Sequence, residues 1–354
     1  TLDPITLDLR SHIETEIMTE GKRRLNERLK SEMHQAVVEV GTGICRTIAE
    51  ASVDLKNLRR QVIALTEEHG LRLASGGTHP FADWRSQDVN PDERYVQLVE
   101  DMQIVARGNL IFGLHVHIGI EDRETLIQIM NQMRYFLPHL LALSTNSPFW
   151  IGMRTGLKSY RCKVFDRFPR TNIPDTFDSW ADFERFVNLL VRTGSIDNAK
   201  KIWWDIRPHP MFPTVEVRIC DIPMRVDETI AIAALIQATA AKLYRLHSRN
   251  LSWRNYSRAL LMENKWRASR YGLDGSLIDF GREEAVPERT LIREYLAFVD
   301  DVLDELGSRD EVEYIRWILD HGTGADRQLR AYDASGGDLK AVAALMVEET
   351  RAGL

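Results

Sequence analysis

The stretch from Glu228 to Leu246, "ETIAIAALIQATAAKLYRL", is the most apolar long run in the chain. Gln237 and Lys242 interrupt it, and it falls short of an uninterrupted apolar span. It therefore reads as a buried helix and not as a membrane segment, within a helix predicted over Val226 to His247. A helix of this kind needs cover, so the rest of the chain must wrap around it. The chain has 354 residues, enough for a substantial core in one large domain or two smaller ones. No repeat, low-complexity linker or boundary divides it, and a single mixed α and β domain is the expectation.

Two other stretches alternate with a period of two, which predicts strands. In "GLHVHIG", Gly113 to Gly119, His115 and His117 point to one face while Leu114, Val116 and Ile118 share the other. In "TVEVRICD", Thr214 to Asp221, Glu216, Arg218 and Cys220 oppose Val215, Val217 and Ile219. The apolar face is core. On an edge strand the Glu216 and Arg218 face would simply be solvated. The preceding "WWDIRPHP", Trp203 to Pro210, carries Trp203, Trp204 and Ile206 and points instead to a central position.

Helical spacing is expected from Gln35 to about His69, over "DERYVQLVEDMQIVARG", and from Glu124 to Leu143 with a kink at Pro138. A further helix is expected from Ser179, its N-cap, to Arg192. Short helices should follow Glu288, with turns at Gly307, Gly322 and Gly336–Gly337. Asp3-Pro4 reads as a turn after a strand of which almost nothing is present, so an opening element is expected ahead of Thr1.

The charge balance, with a net of -6 and both signs interspersed, has no basic stripe and excludes an obvious nucleic-acid footprint. Cys45, Cys162 and Cys220 are odd in number and far apart, so reduced thiols in a cytoplasmic protein are expected, with no signal peptide and no membrane partner. A GxSxG elbow, a Walker A loop and a dinucleotide fingerprint are all missing.

The polar residues that remain suggest hard-metal and phosphate chemistry. Two imidazoles on one strand face suit a metal or a phosphate. The pairing of Glu216 with Arg218 offers a carboxylate for a cation and a guanidinium for an anion. Glu32 and Glu39 are seven residues apart, so a helix there would turn both carboxylates the same way. Gly76 and Gly77 allow backbone to approach a ligand, beside Thr78 and His79. Arg154, Lys158 and Arg161 could hold a substrate carboxylate or phosphate. A zinc hydrolase built on His115 and His117 is the competing chemistry; it needs a third ligand from His79, His139, His209 or His247.

The motifs "GGTHPF", "GLHVHIG", "SPFW", "WWDIRPHP", "TVEVRICD" and "RYGLDG", in this order, resemble the bacterial carboxylate–amine ligases called type 2 glutamate–cysteine ligases. The resemblance implies an α+β, glutamine-synthetase-like catalytic domain: a curved, mainly antiparallel sheet forming a funnel, with helices packed on its outer face. It implies ATP and Mg²⁺ as cofactors, small amino-acid and amine substrates, and an acyl-phosphate intermediate on the way to an amide such as γ-glutamylcysteine. By the same resemblance Glu32, Glu39, His115 and Glu216 would bind metal, and His117 and Arg218 would contact ATP phosphates. Arg218 and Glu216 would be catalytic, while Thr78, Arg154 and Arg161 would meet substrate. The family's opening acidic strand would sit before "TLDP", and a loop between Arg10 and Gly21 departs from the family pattern. A homo-oligomer such as a dimer, a kinase that stops at phosphoryl transfer, and a non-catalytic member of the scaffold stay open.

Overall fold

In the computed structural model, which describes residues 1–12 and 16–354, the helix Val226–His247 runs through the centre. Ile230, Ala231, Ile232, Ala234, Leu235, Ile236 and Ala238 are all buried, so the helix is enclosed on more than one side. Helices Ile48–Glu68, Arg123–Met133, Glu288–Leu306 and Arg309–His321 pack around it. Asp227 and Glu228 stand in its first turn and Arg245 and His247 in its last, the arrangement that complements a helix dipole. Glu228 also binds Arg327 at 2.8 Å, tying the helix start to the C-terminal helices.

The strands are β1 Leu29–Ser31, β2 Val38–Val40, β3 Val116–Gly119, β4 Phe149–Trp150, β5 Met153–Arg154, β6 Ile206–Pro208, β7 Thr214–Val217, β8 Ser276–Asp279 and β9 Glu284–Pro287. β3, β7 and β6 form a three-stranded sheet with β7 in the middle, and β1–β2, β4–β5 and β8–β9 are hairpins. All these pairings are antiparallel. This α+β arrangement agrees with the expected class. β7 is a central strand, so the edge-strand reading of Glu216 is excluded.

The register of the sheet puts His117, Glu216 and Arg207 in one row across three strands. The next row out on the same face holds His115 and Arg218. The opposite face presents Val215, Val217 and Ile206 to the core beneath the central helix. The alternation therefore divides the sheet cleanly: one face is fixed by apolar burial, and the other is released to carry charge.

Several expectations need correction. The segment after Gln35 is not helical until Ile48; it holds β2 and then a Gly-containing loop. Val37, Val38 and Val40 are β-branched and favour a strand, and helix begins only where Thr47 caps the Glu50 N–H at 3.2 Å. Pro138 does not kink a continuous helix. The chain breaks through a short turn at 134–136, and Pro138 sits in the first turn of Leu137–Ser144, where its missing N–H costs nothing. The β8–β9 hairpin was not foreseen; its turn is held by Asp279 Oδ1, which accepts from Gly281 N at 2.8 Å and Arg282 N at 3.0 Å. Ser179 does cap Trp180–Arg192, accepting from Asp182 N at 3.2 Å. The expected irregularity between Arg10 and Gly21 falls partly on residues outside those described; Ile17–Leu25 is helix. Among the described residues no helix is long and apolar enough to cross a membrane. Cys45, Cys162 and Cys220 are free thiols.

Candidate active site

The polar face of the β3–β7–β6 sheet is organised around Glu216. Arg207 Nε donates to its Oε2 at 2.7 Å, and Arg218 Nη1 donates to its Oε1 at 2.5 Å. His115 Nδ1 and His117 Nε2 each lie 3.8 Å from Oε1. Burial alone would raise the Glu216 carboxyl, but Arg218 and Arg207 hold it well below the usual carboxylate range. The carboxylate is therefore ionised, and two guanidiniums against one carboxylate leave the floor with a net positive charge. Such a floor attracts an anion. Arg218 is further equipped for this, because its buried Nε has no hydrogen-bond partner.

The two imidazoles are held neutral. Although 35% of the His115 side chain is accessible, burial and the adjacent Arg218 lower it well below the ordinary histidine value, against the pull of Glu216. His117 is lowered by burial, with Glu216 opposing and Arg218 and Arg207 adding. Neutral rings keep a free lone pair, which is the form that ligates metals. His117 Nδ1 also meets Thr214 Oγ1 at 3.1 Å.

Arg207 was missed in the sequence, and His209 was weighed there only as a third zinc ligand. They alternate in "IRPHP", but the flanking prolines obscure the strand, and only the register places Arg207 opposite Glu216. Arg207 Nη1 is anchored on the carbonyls of Lys200, at 3.2 Å, and Ile202. His209 packs edge-on against His117 with ring centroids 5.1 Å apart.

Glu32 and Glu39 do share a face, for a different reason than helical spacing. Lys30 pairs with Glu39 across the β1–β2 hairpin, and Glu32 lies two residues beyond Lys30 on the same side. Burial, a hydrogen bond to Glu39 and the charge of Glu39 push the Glu32 carboxyl up to about 8, against the Met33 N–H and Arg94. Among the described residues neither carboxylate takes part in an ion pair. The charge of Glu39 also reaches His117, so the hairpin and the sheet face share one electrostatic field. A pair of half-buried carboxylates held together without an ion-pair partner fits a hard divalent cation. Among the described residues no group of three or more His, Cys, Asp or Glu side chains is drawn together closely enough to hold a metal ion. The third zinc ligand is likewise not assembled: His79 binds Leu7 O at 2.9 Å, and His139 binds Glu288 at 2.9 Å in the core.

Thr78 and Arg161, expected to meet substrate, are turned inward. Thr78 Oγ1 donates to Phe149 O at 2.8 Å and is buried. Arg161 is buried beneath Gly113 and donates to the carbonyls of Ile219 at 3.1 Å and Arg218 at 3.2 Å. It thus steadies the strand that carries Arg218 from below. Arg154 is on the surface, paired with Asp333 at 3.0 Å. The Gly76–Gly77 loop also serves packing. Asp221, fully buried, accepts from Asn146 N at 2.8 Å, Ser147 Oγ at 2.7 Å and Ser159 Oγ at 2.8 Å. A Cβ on Gly77 would stand 2.7 Å from Asp221 Oδ2 and 2.9 Å from Ser147 Cβ. Both neighbours are fixed by that hub, so Gly77→Ala is expected to lower stability by roughly 1–3 kcal/mol in denaturant unfolding. An unchanged midpoint would mean the hub yields freely.

The fold is shared with two ligases of solved structure. It aligns with the bifunctional glutathione synthetase of Pasteurella multocida at a TM-score of 0.65 and 14% identity, covering 93% of this chain and 48% of that one. It aligns with the glutamate–cysteine ligase of Francisella tularensis in complex with AMP at a TM-score of 0.65 and 11% identity, covering 92% of this chain and 82% of that one. Such identities speak to the fold alone.

The sequence narrows the class. Residues 2–344 match the model of glutamate–cysteine ligase family 2. Proteins provisionally named glutamate–cysteine ligase 2 are 66% identical in Solibacter usitatus and 56% identical in Herpetosiphon aurantiacus; each alignment spans 100% of this chain, and 92% and 91% of the relative. The chain belongs to glutamate–cysteine ligase family 2 and is a ligase.

Proposed function

We propose that the protein uses ATP, with Mg²⁺, to join an amino-acid carboxylate to an amine through an acyl phosphate, with glutamate and cysteine as the expected pair and γ-glutamylcysteine as the product. The observation that carries this is the ion-paired floor, Arg207–Glu216–Arg218, with two neutral histidines on the same face. The AMP held by the Francisella ligase supports use of an adenine nucleotide.

The substrate carboxylate oxygen attacks the γ-phosphorus, the bond to the β,γ-bridging oxygen breaks, and ADP leaves with that electron pair. Arg218 donates to the transferring phosphoryl oxygens, where charge is greatest in the transition state. Arg207 holds Glu216 in place, and Glu216 in turn fixes the Arg218 fork. The amine then attacks the acyl carbon, and phosphate departs with the former carboxylate oxygen. Glu32, Glu39, His115 and Glu216 would hold Mg²⁺, which when bound neutralises phosphate charge. His117 would meet a phosphate through its single ring N–H. We read the whole of 1–354 as one catalytic domain acting in the cytoplasm, its strands following the curved funnel of the glutamine-synthetase-like fold.

Isotope transfer tests the acyl phosphate. Glutamate labelled with ¹⁸O in its side-chain carboxylate should pass a single ¹⁸O to each phosphate released. Amide formation with unlabelled phosphate would exclude the intermediate, and ADP formation without any amide would identify a kinase instead.

A further inference from the structure

Just outside the charged floor, the turn joining β6 and β7 displays apolar surface that folding does not use. Met211 is 64% exposed and Phe212 58% exposed. Isolated exposed apolar residues are common and need no explanation, but this turn is built with unusual care. His209 N donates to Thr214 O at 2.9 Å and Thr214 N to Phe212 O at 2.7 Å, closing the turn. Pro210 and Pro213 restrict its backbone. His209 Nδ1 accepts from Met211 N at 3.3 Å and from Phe212 N at 3.1 Å. A nitrogen that accepts carries no proton, so this hydrogen bonding selects the neutral ring. The same ring lies flat on Phe212, centroids 4.6 Å apart and 10° from parallel, and meets His117 edge-on at 5.1 Å. His117, His209 and Phe212 thus form a ladder of rings that leads from the anion floor to solvent. Its last rung leaves an aromatic face open.

We propose that the His209–Phe212 pair is the platform on which the purine base of the nucleotide stacks, with its phosphates directed along the ladder toward Arg218. The proposal rests on the reading of this cleft as the site of ATP cleavage. The chemistry is that of a planar, uncharged ligand ring on a preorganised, uncharged aromatic face. Stacking of this kind tolerates different bases, because each presents a π-face. The positive floor binds the phosphates, and the turn supplies the affinity that distinguishes a nucleotide from a bare polyphosphate.

Calorimetric binding of MgATP and of magnesium tripolyphosphate, which lacks base and ribose, separates these contributions. Phe212→Ala is expected to weaken MgATP by about five- to a hundredfold and to leave tripolyphosphate unchanged. Phe212→Trp should keep MgATP affinity. His209→Asn, which can still accept the turn's N–H groups but has no ring, should also weaken MgATP alone. If Phe212→Ala weakens both ligands equally, or neither, the platform assignment is wrong. If the unmodified enzyme binds neither ligand, the ATP reading itself fails, and the platform with it.

Discussion

Glu216→Gln abolishes measurable ligase turnover, with a fall of at least about 10²–10³-fold expected for loss of a preorganised charge at the reacting phosphate. The family resemblance makes Glu216 a metal ligand. The structure adds a second role. Glu216 is buried, and both of its oxygens accept from guanidiniums, at 2.7 and 2.5 Å. A neutral amide leaves Arg207 and Arg218 as buried like charges beside each other. Breaking a buried pair by removing one partner costs roughly 3–5 kcal/mol, and isosteric Gln, which keeps one acceptor, belongs near the lower end. Assays of purified variant alongside its thermal unfolding should therefore show a folded, destabilised and inactive protein. Wild-type turnover in Glu216→Gln would remove the residue from the mechanism.

Arg218→Met should lower kcat by about 10³–10⁵-fold, the range associated with an arginine that stabilises a transferring phosphoryl group. Arg218→Lys should recover only part of this, since lysine retains the charge but not the planar fork. The KM for the amino-acid substrate should change little, because the interaction is realised in the transition state. Steady-state kinetics decide it: a raised KM with unchanged kcat would assign Arg218 to ground-state binding. The residue is well placed for a selective effect, as its backbone N–H to Asp205 O, 2.8 Å, survives either substitution.

Much of this site was legible in the chain because local periodicity and tertiary role coincide in it. In Thr214–Val217 the apolar residues face the core, so the alternate positions have to face outward with Glu216. The central helix was legible for the same reason: an apolar run from Ile230 to Ala240 has no stable place except inside. The failures occur where pairing partners are distant in sequence. The convergence of Glu32 and Glu39 is a product of hairpin register, and the helical spacing that suggested it was coincidental. Arg207 becomes a partner of Glu216 only once β6 lies beside β7. Thr78, in a Gly-rich loop, and Arg161, in a basic loop, were read as ligand contacts with the support of the family resemblance, and both satisfy backbone carbonyls inside the fold. Burial of such groups depends on partners far along the chain, and local composition carries no record of it.

The measurement that tests the central claim most directly is ADP release by the full natural chain with Mg²⁺ and ATP, across a panel of amino acids and amines, with the product identified by mass. The proposed activity predicts release that requires both glutamate and cysteine, with γ-glutamylcysteine formed in equal amount. Release dependent on another carboxylate and amine would preserve the ligase and replace its substrates. Absence of ADP release with every pair would contradict the account.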